Sequence, residues 1–218
     1  ELSRLVTTLH PEDQNSVEYY YFMPSMNYEY EYKTGRRINF SYNSYVQAPT
    51  GNQLLPVENK LNDLSVYKGN IDLKPEYSHT ANAHWMIFDQ FSFTSFITSI
   101  QAGYTINKIN WSTEINDLLE QSNTLVNTEG DKFVRGNIDF STPVRKLGMK
   151  INLNIDESYN TGINYVNEIE NIIDYTESRF SLSIENRKKE KIDMIGGFGI
   201  NFSAAKYSVQ NELNRRYK

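Results

Sequence analysis

The chain has 218 residues, 39% of them hydrophobic and 13% aromatic, with 16 Tyr and 11 Phe. A hydrophobic share below the usual level combined with so many aromatics describes a polar but ordered chain, since disordered sequences lack aromatic and β-branched residues. A net charge of −5 argues against a nucleic-acid partner, which demands a basic face, and the absence of Cys excludes disulfide scaffolds, thiolate nucleophiles and Cys-ligated zinc. No run is long and apolar enough for a transmembrane helix, which leaves membrane strands open, because each needs only about 9 to 11 residues of alternating polarity.

In chain order, residues Leu2 to Val17 read as a piece of strand followed by an outer loop, broken at His10-Pro11. Beyond them a period of two sets in. Tyr28, Tyr30 and Tyr32 alternate with Glu29 and Glu31, and Ile38, Phe40 and Tyr42 with Asn39, Ser41 and Asn43. Phe96, Ile100, Ala102, Tyr104 and Ile106 oppose Ser99, Gln101, Thr105 and Asn107. Val134, Ile138 and Phe140 oppose Arg135, Asn137 and Asp139. The cleanest stretch sets Leu147, Met149, Ile151, Leu153 and Ile155 against Gly148, Lys150, Asn152, Asn154 and Asp156. Phe180, Leu182 and Ile184, then Ile192, Met194, Phe198, Ile200 and Phe202, complete the series. Such alternation is the mark of strands with two chemically opposite faces. The register blurs at Tyr45, Val46 and Ile97, where a bulge or a strand end is expected.

The connections fall into two sets. Lys33–Arg36, Asp89-Gln90, Pro143–Lys146 and Asn186–Lys191 are short, whereas Gln47 to Tyr77, Trp111 to Asp131 and Ser158 to Asp174 are long. Short turns at one pole and long loops at the other define an all-β, up-and-down antiparallel meander, and strands this long suit a tilted span of a bilayer. The fold class expected is therefore part of a transmembrane β-barrel: one segment over residues 1–218, with roughly nine or ten strands.

The long loop from Gln47 to Tyr77 carries the distinctive motif: Ala48-Pro49, Gln53-Leu54-Leu55-Pro56, then Tyr67-Lys68-Gly69-Asn70-Ile71-Asp72-Leu73-Lys74-Pro75-Glu76-Tyr77-Ser78-His79. It resembles the "GNP-x-LKPE" segment in the barrels of TonB-dependent receptors, with Ile71 where that family commonly has Pro. Pro24-Ser25-Met26-Asn27-Tyr28-Glu29-Tyr30 and Ile38-Asn39-Phe40-Ser41-Tyr42 look like the Bacteroidetes outer-membrane β-barrel family. The resemblance covers Tyr19 to Trp85 by motif and the rest by rhythm of strand and turn. It implies a Gram-negative outer-membrane transport receptor that takes up a scarce nutrient such as a siderophore, cobalamin or glycan. Binding would occur at long outer loops and passage through a polar lumen. It further implies a TonB-type energising partner acting on a plug that this segment does not contain, and an internal place within a larger barrel. Outer-membrane lipid and a small nutrient are the other partners implied, with no cofactor. For the motif itself, Gly69-Asn70 is expected to take a positive-φ reversal and Pro75 to set an extended approach to the next strand.

Candidate binding residues are Tyr67, Lys74 and Glu76 in the motif loop and Arg135 and Asp139 in the lumen. Catalytic readings are weaker. Glu29 and Glu31 share a face as a glycosidase pair would, but charge on the same parity elsewhere fits a watery lumen better. His79 and His84 lie five apart, on opposite faces of a strand, and cannot chelate one metal without a bulge. Gly196-Gly197-Phe198-Gly199 lacks the Lys-Ser/Thr of a phosphate loop, so these glycines serve curvature or close packing. The Arg187–Lys191 run reads as a solvated turn. Tyr19–Phe22, Trp85 and Trp111 suit an interfacial aromatic belt. No catalytic constellation emerges, so the chain is not expected to be an enzyme. The competing reading is a soluble antiparallel β-sandwich or barrel that binds carbohydrate or lipid, with the apolar parity packed inside.

Overall fold

The alternating segments form strands, and most neighbours pair antiparallel. The computed structural model describes residues 2–8, 16–62, 64–187, 192–209 and 215–217. Two strands, β1 (Leu2–Thr8) and β2 (Ser16–Phe22), form a separate pair. The remaining thirteen belong to one sheet. They are β3 (Ser25–Lys33), β4 (Arg36–Gln47), β5 (Glu58–Asn62), β6 (Ser65–Lys68), β7 (Glu76–Asp89), β8 (Thr94–Ile106), β9 (Lys108–Ile115), β10 (Gln121–Thr128), β11 (Asp131–Val144), β12 (Met149–Val166), β13 (Ile169–Asn186), β14 (Ile195–Tyr207) and β15 (Arg215–Tyr217). A single helical turn, α1 (Gly51–Leu54), precedes β5.

The wall of the sheet runs β3-β4-β7-β8-β11-β12-β13-β14, an antiparallel meander with even register from β4 to β14. The register sorts the side chains. One face carries Glu29, Asn39, His84, Ser99, Asn137, Asp156, Arg179 and Asn201 along a single row. The other carries Tyr30, Ile38, Trp85, Thr98, Ile138, Ile155, Phe180 and Ile200. Many of the second set are strongly exposed, with Phe198 at 55% and Tyr30 at 52%. Among the described residues no second layer covers them, whereas the soluble sandwich would have its apolar parity packed.

The apolar band has a sharp upper edge. On β12 the outward residues run Met149, Ile151, Leu153 and Ile155, then change to Glu157, Tyr159 and Thr161, while on β13 Ile184, Leu182 and Phe180 give way to Ser178, Thr176 and Asp174. Above that edge the outward face is charged, with Lys132, Asp174 and Lys206 in one row. Aromatics flank the band. Below, Trp85 donates its indole N–H to the Tyr32 hydroxyl at 3.1 Å and meets Phe96 edge-on. Above, Tyr21, Tyr77, His79 and Tyr42 form a run of ring contacts, and the Tyr42 hydroxyl lies 2.6 Å from His79 Nδ1. His79 thus faces outward and His84 inward, as their spacing requires.

Several expectations are corrected here. Trp111 does not join the belt; it lies on β9, edge-on to Tyr67 at 5.7 Å between centroids. The long connections after Trp111 and Ser158 are mostly strand, since β9 and β10 meet at a five-residue turn and β12 and β13 at Asn167-Glu168. Above the band neither face touches lipid, so alternation fades while the backbone ladder continues. No register shift occurs at Tyr45, Val46 or Ile97; at Tyr45 and Val46 the blur is the end of β4 at Gln47, the other expected cause. The blur at Ile97 arises because Ile97 and Met86 are apolar residues on the inner face near the short turns. Register shifts fall between Glu31 and Lys33 and between Lys60 and Asn62 instead. Strand β14 begins at Ile195, and the Arg187–Lys191 run lies outside the described residues except for Arg187.

Strands β8 and β9 would form one long strand but for Asn107, at φ 54°, and β10 and β11 are likewise separated at Glu129 and Gly130, the latter at φ 97°. At these points the two strands exchange places. Below, β8 neighbours β7 and β11 neighbours β12; above, β9 neighbours β12 and β10 neighbours β6. The result is an upper sheet, β5-β6-β10-β9-β12-β13, standing on the wall.

Candidate functional site at the lumen mouth

The junction between wall and upper sheet holds the motif loop. Leu54, Leu73 and Leu125, at 4%, 4% and 5% exposure, form the one cluster of buried apolar side chains among the described residues, with Tyr67 and Ile109 packed on it and Pro75 fully enclosed. Register puts Tyr67, Leu125 and Ile109 on one face of the upper sheet, the face continuous with the polar side of β12. The motif loop and α1 therefore fold over the inner side of the mouth.

Gly69 does not supply a positive φ, and neither does Asn70. Its requirement is space: a Cβ there would lie 2.2 Å from the Leu55 carbonyl oxygen and 2.9 Å from that of Gln53. The tight approach lets the Asn70 amide donate to Gln53 O at 2.7 Å, while the Asn70 side chain donates to Leu125 O at 2.8 Å. Asn127 clamps Lys74 by both backbone groups, accepting from its N–H at 2.7 Å and donating to its carbonyl at 3.0 Å. Asn127 also donates to Asn107 O at 2.7 Å. Glu129 accepts from the Asn107 N–H at 3.1 Å and from the Tyr104 hydroxyl at 3.2 Å. The crossing is thus a polar clasp closed by side chains from both partners.

The five sequence candidates fall into two groups. At the junction, Tyr67 donates its hydroxyl to Asn52 O at 3.2 Å, and burial pushes its phenol pKa up. Lys74 holds its ammonium in solvent while its backbone is clamped. Glu76 is 8% exposed and receives Lys108 Nζ at 2.9 Å and the Ile109 N–H at 2.8 Å, so its carboxylate secures the crossing. In the wall, Arg135 and Asp139 share the polar face of β11 but do not touch. Asn137 lies between them and donates to Asp139 at 2.7 Å, and Asn154 donates to the other Asp139 oxygen.

The polar face carries several satisfied charge pairs. Arg37 lies 3.0 Å from Glu29 and 3.6 Å from Glu31, Lys150 lies 3.1 Å from Glu185, and Arg179 lies 3.1 Å from Glu177. The Glu177–Arg179 pair was missed by the sequence reading, which began the strand at Phe180; extending the parity of Ser181 back to Arg179 and Glu177 would have found it. Near the upper edge of the apolar band this face opens a cleft of about 300 Å³ lined by Gln101, Arg135, Asp156, Ser158, Glu177 and Arg179, among others.

A sheet with a lipid-ready apolar outside, aromatic margins and a charged, hydrogen-bonded inside defines a membrane β-barrel wall. Comparison with known families agrees: the model of an outer membrane protein beta-barrel family matches residues 3–218, and the chain belongs to that family. Its place is the outer membrane, and the polar face is the lumen side. No curated protein matches the chain.

Proposed function

We propose that the chain is barrel wall of a TonB-dependent receptor that imports a scarce nutrient such as a siderophore, cobalamin or glycan. The observation that carries this is the continuity of the polar face from the wall into a mouth over which the motif loop folds: ligand meets an ordered extramembrane surface directly above a hydrated passage. The motif from Gly69 to Glu76 resembles that of such receptors. The wall leaves β3 with one sheet neighbour among the described residues, and further strands would complete the barrel, because a bare edge in lipid strands its backbone groups. No catalytic step is assigned; the work is recognition and passage, energised through a plug by an inner-membrane partner.

The test is uptake by cells of the source organism, using labelled ferric siderophore, cobalamin and oligosaccharide. Loss of uptake of one of them on deleting the receptor, with equal loss on deleting the energising partner, is expected. Uptake that persists without the partner would make the barrel a passive pore and overturn the reading.

A further inference from the structure

The lumen cleft contains two opposite charges, Arg135 and Asp156, that form no ion pair among the described residues. Register lays its residues out as a tile. One row reads Gln101, Arg135, Ser158, Glu177 and Ser203, and the next reads Ser99, Asn137, Asp156, Arg179 and Asn201. Within the tile Glu177 is taken: Arg179 lies 3.1 Å from it and Asn201 donates to it at 3.3 Å. Arg135 and Asp156 remain. Asp156 accepts no hydrogen bond and forms no ion pair among the described residues. Arg135 lies within 4 Å of no carboxylate among them, although Asp156 is only a diagonal step away, about 7 to 8 Å between backbones.

Arg135 is also held apart from Asp156 by construction. Phe133 is an aromatic on the mostly polar inner face, and it lies where a Cβ of Gly103 would be, 2.3 Å from the ring. That ring in turn carries the Arg135 guanidinium 4.6 Å above its centroid, and Nη2 donates to Asn160 Oδ1 at 3.3 Å. A stacked, hydrogen-bonded guanidinium keeps its remaining donors in a fixed plane, the arrangement that suits a carboxylate. The uncommitted Asp156 carboxylate one strand away suits an ammonium.

We propose that this cleft binds a small zwitterion of the α-amino-acid class, its carboxylate on Arg135 and its ammonium on Asp156, with Gln101 and Ser158 available to its other polar atoms. A simple anion is disfavoured because Asp156 and Glu177 line the same cleft from the inner face, and a cation is disfavoured by Arg135 and Arg179. The import reading gives the site its purpose, as a recognition point at the head of the passage, but the binding itself stands without transport.

The experiment uses the full-length protein in detergent micelles and follows saturable binding of L-alanine by ligand-observed NMR, beside N-acetyl-L-alanine, which keeps only the carboxylate, and L-alaninamide, which keeps only the ammonium. L-Alanine is expected to bind at least tenfold more tightly than either blocked analogue. Arg135→Gln and Asp156→Asn should each weaken L-alanine at least tenfold. Arg135→Gln should leave L-alaninamide unchanged, and Asp156→Asn should leave N-acetyl-L-alanine unchanged. Gly103→Ala, which displaces Phe133 without removing a charge, should weaken L-alanine as well, and unchanged β-sheet circular dichroism of each variant reports that the wall is intact. Equal binding of L-alanine and N-acetyl-L-alanine, no saturable binding, or indifference to Asp156→Asn would each overturn the proposal. Binding without partner-dependent uptake would refute the import reading alone, and such uptake without zwitterion binding would refute this inference alone.

Discussion

The wall and the upper sheet share two strands, β12 and β13, yet are stabilised in opposite ways. In the wall, apolar side chains point away from the protein, and what packs inside is a mesh of Asn, Ser, Thr and paired charges, such as Asn154 and Asn137 on Asp139. In the upper sheet, apolar side chains turn inward, and Leu54, Leu73 and Leu125 make a small dry core under the motif loop. The hydrophobic effect drives both arrangements; only the solvent on the outside differs. The boundary falls within single strands, between Ile155 and Glu157 on β12 and between Phe180 and Ser178 on β13.

The sharpest way to break the comparison is to attack each region with a substitution the other would tolerate. Leu125→Ala empties part of the upper core and should destabilise that sheet by about 2 to 5 kcal/mol. Limited proteolysis of the full-length protein should then cut near the β5–β6 turn while the wall stays resistant. Simultaneous loss of both regions would show that they do not unfold separately.

Ile138→Lys places a charge on the lipid side of the wall and should cost about 2 to 4 kcal/mol, read as a lower denaturant midpoint in lipid vesicles. Asn152→Lys, on the lumen side near Glu185, should shift that midpoint little, because its ammonium stays in water. Equal effects of the two would reverse the assignment of faces.

Gly69→Ala forces a Cβ onto the Leu55 and Gln53 carbonyl oxygens and should cost about 1 to 3 kcal/mol, confined to the mouth. The expected signature is faster amide exchange at Asn70, whose N–H bonds Gln53 O, with exchange at Leu153 unchanged.

The smallest effect belongs to the short-turn pole. Asp89 accepts the Phe91 and Ser92 backbone N–H groups, and the Phe91 bond chiefly holds its carboxyl below the usual range. With the folded pKa depressed, this contribution is complete above the ordinary Asp value, about 4, and fades as pH falls through the folded value. The Phe91 amide resonance should titrate below pH 4 and lose that titration in Asp89→Asn; a midpoint at or above the ordinary value would contradict the turn's hydrogen bonding.

Much of the wall was legible because alternation is a local property. Met149 to Ile155 names its two faces from the sequence alone, and short segments such as Lys33–Arg36 mark the turns. The upper strands were not legible because, clear of lipid, neither face of Tyr159 to Val166 needs to be apolar throughout. For the candidate site, Arg135 could be placed on the polar parity, but its stack on Phe133 over Gly103 joins residues thirty positions apart in the chain, and its lack of a partner depends on which strand lies beside it.

By itself the sequence determined the strand period, the polarity of the two faces, the short-turn pole and the absence of cysteine chemistry, all of which follow from residue types at fixed local spacing. Only the tertiary structure decided that the β8–β9 and β10–β11 paths exchange places, that Gly69 serves close approach instead of a left-handed turn, and that Glu76 closes the clasp on Lys108. Each of those depends on non-local pairing, β10 on β6 and β9 on β12, whose contact energy is decided by which strands meet and not by any one of them.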